Sequence, residues 1–205
     1  MASAEPRRRG RPRVYDPDAA LRRARDAFWR TGYAATSLDD LATGMGMNRP
    51  SIYAGFGDKR ALYHAVACAY SDASRSWLAS ALAGPKPLRD TLLSIYRDAR
   101  DFYLTGDDAP RGCFLLGTAV TESTRDGRVR DIVESTMTAF TMAFAERFER
   151  AERDGELSAH PPDALAQIAT ATLNTISVRA RTGAQPAVLD ALIDATIDVI
   201  CGRPD

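Results

Sequence analysis

The sequence predicts an all-α protein in two parts, a three-helix N-terminal head and a larger helical body. Three observations predict it. Apolar residues recur at spacings of three and four through almost all of the 205 residues. Sustained period-two alternation, a Gly-rich phosphate loop and an internal repeat are all missing from the sequence. Helix-capping residues stand ahead of the apolar stretches, with Gly or Pro behind them. Hydrophobic residues make up 45% and charged residues 26%, an ordinary globular composition on a chain long enough to bury a real core.

Residues 1–15 (MASAEPRRRGRPRVY) set Arg7, Arg8, Arg9, Arg11 and Arg13 among Gly and Pro, with nothing to pack, and read as a flexible basic arm. Asp16 is placed as an N-cap with Pro17 at the first helical position. Leu21, Ala24 and Phe28 make one stripe, and Gly32 is expected to stop this helix. Ser37 and Asp40 stand as in a capping box, Asp replacing the usual Glu, and Leu38, Leu41 and Met45 face inward until Gly46. Asn48 caps the next short helix. Pro50 is tolerated there because first-turn amides have no intrahelical partner, and Ile52 and Phe56 face the core. Asp58 caps a longer helix through Leu62, Val66 and Tyr70, expected to end near Ala83. The head is placed at residues 16–64 and the body at 65–205.

In the body, Leu88, Leu92, Ile95, Ala99 and Phe102 form a stripe closed by Gly106 to Pro110. Phe114 to Thr121 follow Gly112, and after Gly127 a long helix carries Val129, Ile132, Val133, Thr136, Met137, Phe140, Phe144 and Phe148. One further helix precedes Gly183 and another follows Pro186.

The net charge is zero, but the first 64 residues hold 12 Lys/Arg against 7 Asp/Glu, and the remainder 15 against 20. A basic head suits phosphate, and an acidic body is repelled by it. No run of eighteen apolar residues and no secretory signal occur, so no membrane is expected as partner and the protein is placed in the cytoplasm, associated with the nucleoid. Cys68, Cys113 and Cys201 lack metal-type spacing and fit reduced thiols; no metal or cofactor is expected. An enzyme is not expected either. His64 and His160 are isolated, and Glu122 and Asp126 read as solvated neighbours on a helix face.

Two short helices joined by a Gly-containing turn, behind a supporting helix and a basic arm, are the parts of a major-groove reader. The second helix would present Asn48, Arg49, Pro50 and Ser51. Arg49 suits guanine edges, and Ser51, Tyr53 and Lys59 suit phosphate, with Ser37 and arm residues Arg9, Arg11 and Arg13 as further contacts. Thr36-Ser37-Leu38-Asp39-Asp40-Leu41-Ala42, then Gly46-Met47-Asn48-Arg49-Pro50-Ser51-Ile52-Tyr53-Ala54-Gly55-Phe56-Gly57-Asp58-Lys59-Arg60-Ala61-Leu62, resembles the N-terminal domain of the tetracycline-repressor (TetR) family. Two positions depart from that pattern: Met45 where a small residue is usual, and Gly55 where an aromatic is common. The resemblance implies a homeodomain-like head and a homodimer of about nine helices per chain. The body would sense a small molecule that releases double-stranded DNA at a palindromic operator.

The last two helices offer a dimer face at Leu165, Ile168, Thr172, Ile176, Leu189, Leu192, Ile193, Thr196, Ile197 and Ile200, or pack on the chain's own core. For an apolar effector the candidates are Phe102, Tyr103, Phe114, Met137, Phe140 and Phe144, with Thr118, Thr121 and Asn174 as polar anchors; the same residues serve equally as core. Arg111-Gly112-Cys113 resembles segments in a subset of such regulators, some of which sense electrophiles or oxidants through thiols. Cys113 is therefore either a sensor, with Arg111 favouring thiolate, or an inert buried cysteine. A helical scaffold dimer that binds no DNA is the remaining alternative, separable by salt-dependent, sequence-selective duplex binding.

Overall fold

The computed structural model, which describes residues 15–106, 109–157 and 160–203, begins its first helix where the sequence sets a cap. Asp16 accepts the Asp18 N–H at 3.0 Å, and α1 runs Pro17–Ala35. Gly32 stops the regular helix within that span, as expected: at φ +80 and ψ +171 it leaves helical geometry, a conformation open to glycine, and a separate turn follows, closed by the Thr36 N–H on Gly32 O at 3.3 Å.

The next three helices obey their caps. In α2 (Leu38–Met45) the capping box is complete: the Asp40 N–H donates to Ser37 Oγ at 3.1 Å and the Ser37 N–H to Asp40 Oδ2 at 2.8 Å. Asn48 Oδ1 accepts the Ser51 N–H at 2.8 Å to open α3 (Arg49–Phe56). Asp58 Oδ1 accepts the Ala61 N–H at 2.7 Å to open α4 (Lys59–Leu82), which passes from head to body. The body adds α5 (Leu88–Leu104), a π-helical stretch Leu115–Ala119 that continues into the short α6 (Val120–Glu122), then α7 (Gly127–Arg153), α8 (Pro162–Arg181) and α9 (Pro186–Cys201). All regular structure among the described residues is helical. None of these helices is long and apolar enough to cross a membrane.

One apolar core is continuous through head and body. Phe28, Leu41, Met45, Ile52 and Leu62 fill the head, and Met45 carries its bulk fully inside, with its carbonyl accepting from Arg23 Nη1 at 3.1 Å. Head and body meet at Trp29 of α1. Its indole N–H donates to Arg111 O at 3.1 Å, and its ring stands edge-on to Tyr70 and Phe114 at 5.4 and 5.7 Å. Such aromatic pairs add about 0.5–1.5 kcal/mol each beyond area burial, which ties α1 to the body.

The final helices correct the expected dimer face. Leu165, Thr172, Ile176, Leu189, Ile193, Thr196, Ile197 and Ile200 are buried within the chain itself, and the Thr172 and Thr196 hydroxyls bond each other at 3.1 Å. A side chain with no surface in the single chain has none to bury against a second copy. Of that set, Ile168 is exposed and Leu192 half-buried.

Candidate nucleic-acid interface and head–body cleft

Ile52 pins α3 to the core and leaves the opposite side outward: Asn48, Arg49, Pro50 and Tyr53 are exposed and Ser51 is half-buried. This is the face that the sequence assigned to DNA. Arg49 is held across the turn by Asp39 of α2, with Nε on Oδ1 at 2.7 Å and a second nitrogen on Oδ2. This bond holds the Asp39 carboxyl below its ordinary value. Lys59 sits over the Tyr33 ring at 4.5 Å, at the start of α4. The Ser37 hydroxyl donates to Asp40 Oδ2 at 2.6 Å, so it serves its own helix. Arg9, Arg11 and Arg13 lie outside the described residues.

Gly55 has a local cause. A Cβ there would lie 2.0 Å from the Tyr15 hydroxyl, and the Tyr15 ring packs on Phe56 at 5.9 Å. Tyr15 takes the space that an aromatic at position 55 would need.

Below the head, α1, α4 and α5 enclose a cleft of about 540 Å³. Leu21, Arg22 and Arg25 line it from α1, Val66, Tyr70 and Trp77 from α4, Phe102 and Tyr103 from α5, and Phe140 from α7. The sequence-predicted pocket residues thus divide. Phe102, Tyr103 and Phe140 meet in the cleft; Phe114 and Phe144 are wholly buried core. Thr118 is buried against Tyr63, hydroxyl to hydroxyl at 2.9 Å, and Thr121 is exposed. Met137 and Asn174 line a separate shallow depression on α7 and α8, Asn174 Nδ2 donating to Met137 Sδ at 3.6 Å. The α1 and α4 walls lie outside the expected pocket set. Val66, Tyr70, Ala73 and Trp77 form one stripe at spacings of four, three and four, a periodicity legible in the sequence.

Cys113 lies behind the cleft and is buried. Its amide donates to Ser177 Oγ at 2.7 Å, and Sγ accepts from the Tyr70 hydroxyl at 3.6 Å. Burial pushes its thiol above the ordinary value, so it is protonated at neutral pH. Arg111, expected to favour thiolate, instead faces the head, 3.4 Å from Asp26 and over the Trp29 ring at 5.8 Å. No group of three His, Cys, Asp or Glu is placed to hold a metal among the described residues.

A helix-turn-helix head on an all-helical body defines a DNA-binding regulator, and the comparisons agree. The profile of bacterial regulatory proteins of the tetR family matches residues 20–66, and that of the tetracyclin repressor-like C-terminal domain matches residues 90–196. The HTH-type transcriptional repressor ComR of Escherichia coli (strain K12) is 32% identical over 177 residues, 86% of this chain and 84% of that protein. Among solved structures, a cysteine-substituted TetR family transcriptional regulator CifR, complexed with 26bp double-strand operator DNA, superposes with a TM-score of 0.80. It is 30% identical, over 91% of this chain and 98% of that one. Reduced E. coli NemR shares the fold at a TM-score of 0.77 and 17% identity, over 89% and 96% of the two chains. The chain belongs to the TetR family of transcriptional regulators.

Proposed function

We propose that this protein is a repressor that binds a palindromic operator as a homodimer and leaves it when a small apolar effector binds; it acts in the cytoplasm, on the nucleoid, and is not an enzyme. Residues 1–15 serve as a basic arm, 16–64 as the DNA-binding head and 65–205 as the sensing and dimerising body. The observation that carries the reading is the outward first turn of α3, Asn48 to Ser51, fixed by the Asn48 cap and the buried Ile52. The repressor name of ComR and the operator duplex bound to CifR support it.

The dimer face lies on the outer sides of α8 and α9. Ala164, Ile168, Ala171, Thr175 and Val178 form an exposed stripe of apolar and small residues on α8, and Val188, Ala191, Ala195 and Val199 another on α9. Pairing two copies of these stripes makes a four-helix bundle and relates two heads by a twofold axis, which calls for half-sites one or a few DNA turns apart. Selection from random duplexes tests the reading. An inverted repeat should be enriched, with affinity falling steeply between about 50 and 200 mM salt. Recovery of unrelated sequences with equal affinity would remove it.

A further inference from the structure

The cleft takes its walls from both units of the chain. Leu21, Arg22 and Arg25 belong to the supporting helix of the head, while Tyr70, Trp77 and Phe102 belong to α4 and α5. Its 540 Å³ falls within the roughly 300–1,000 Å³ that encloses drug-sized molecules. Charges of both signs stand at its edge, Asp18 and Asp98 beside Arg22 and Arg25, with Arg25 bonded to Asp26 at 3.0 Å and Arg22 3.9 Å from Asp16. The wall beneath them is mostly apolar and aromatic, so a charged guest would lose water there while an apolar body gains aromatic contact.

The polar groups of the cleft wall are mostly committed. Tyr70 donates to Cys113 Sγ at 3.6 Å, and Ser74 Oγ donates to Tyr70 O at 2.7 Å. Tyr103 differs. It is 8% exposed, lines the cleft, and among the described residues no group accepts its hydroxyl proton. Its hydroxyl is not among the buried atoms left without a partner, so it opens to the cleft and is placed to donate to an acceptor on a guest.

We propose that this cleft is the effector site and takes a neutral, largely aromatic molecule with one acceptor oxygen, bound by the Tyr103 hydroxyl and walled on one side by α1. The proposal rests on the repressor reading above. Such a guest touches head and body together, so it sets the angle of α1 against α4 and α5 by direct contact. Operator affinity then changes by as much as the guest favours one head angle over another.

The test uses the full chain, its selected operator duplex and the probe Prodan, a neutral naphthalene with a single ketone oxygen and polarity-sensitive emission. Prodan should bind with blue-shifted emission and, at saturation, weaken operator binding at least about tenfold. Ala73→Trp, at an exposed position on the cleft wall, should fill the cleft and abolish Prodan binding. Tyr103→Phe should weaken Prodan roughly three- to tenfold, through loss of one hydrogen bond, and move its emission further to the blue. Thr138→Trp, in the shallow depression, should change neither. No binding of Prodan, binding that survives Ala73→Trp, an unaltered Tyr103→Phe affinity, or occupancy without an operator response would each overturn the proposal. Failure of the repressor reading shows separately, as lack of selective DNA binding before any probe is added.

Discussion

The Arg49 side chain is held in place in the free protein. Its guanidinium is braced by Asp39, and both side chains are more than half exposed, so the pair adds little to stability but fixes where the donor fork stands. Arg49→Ala should therefore leave the Tm nearly unchanged and weaken selective operator binding roughly ten- to hundredfold, as loss of a bidentate base contact does. Asp39→Asn should act oppositely, raising duplex affinity by removing a carboxylate beside phosphate. Fluorescence anisotropy against matched and scrambled duplexes reads both, and an Arg49→Ala protein with intact selectivity would place base reading elsewhere. Asp126 gives the fold a pH dependence of its own. Burial works against its charge, but the hydrogen bond from His64 at 2.8 Å and the α7 amides of Arg128 and Val129 outweigh it and hold the carboxyl below its ordinary 3.8. A depressed folded value means that the stabilisation is complete above the ordinary value and is lost as pH falls through the lower one. Asp126→Asn keeps a capping oxygen but loses the charge, so it should cost on the order of 1 kcal/mol near neutrality and flatten the acid limb of the Tm-against-pH curve, leaving the two proteins alike at the lowest pH.

At the level of elements, what was legible in the sequence was what is local. Asp16, Ser37, Asn48 and Asp58 each cap the helix they precede, because a cap acts within three residues of itself. Gly32 is legible for the same reason: its positive φ breaks the regular helix where the sequence places the stop, and only a separate turn follows, to Ala35. Periodicity, by contrast, groups residues by face without saying what each face meets. On α8 and α9 two apolar stripes coexist, and the bulkier one, with Leu165, Ile176 and Ile193, went to the chain's own core. The cleft was illegible because Leu21, Tyr70 and Phe102 come from three helices and are joined only by tertiary packing. Charge placed on the proposed dimer face should prevent pairing. Val178 and Val199 are 52% and 47% exposed, so Val178→Arg with Val199→Arg should keep helical content yet give a monomer by sedimentation equilibrium, with operator affinity greatly reduced. A dimer that survives both charges would move the interface off these helices.

Over the whole molecule, zero net charge conceals a basic first 64 residues and an acidic remainder. The head is anchored to that body through Trp29, α4 and the continuous core, so the charge division orients the molecule on DNA, head inward and body away from phosphate. Residues 1–14 contain Arg7, Arg8, Arg9, Arg11 and Arg13, and each arginine that neutralises a phosphate contributes about 0.9 to the slope of log affinity against log salt. Deleting residues 1–14 should therefore reduce that slope by roughly 2–4 units and weaken matched and scrambled duplexes together, because phosphate contacts position without reading sequence. The α3 face would still discriminate between them. Should truncation instead erase the preference for the matched duplex and spare the salt slope, the arm would be a reader of base edges in its own right, and selectivity would have to be divided between it and Arg49.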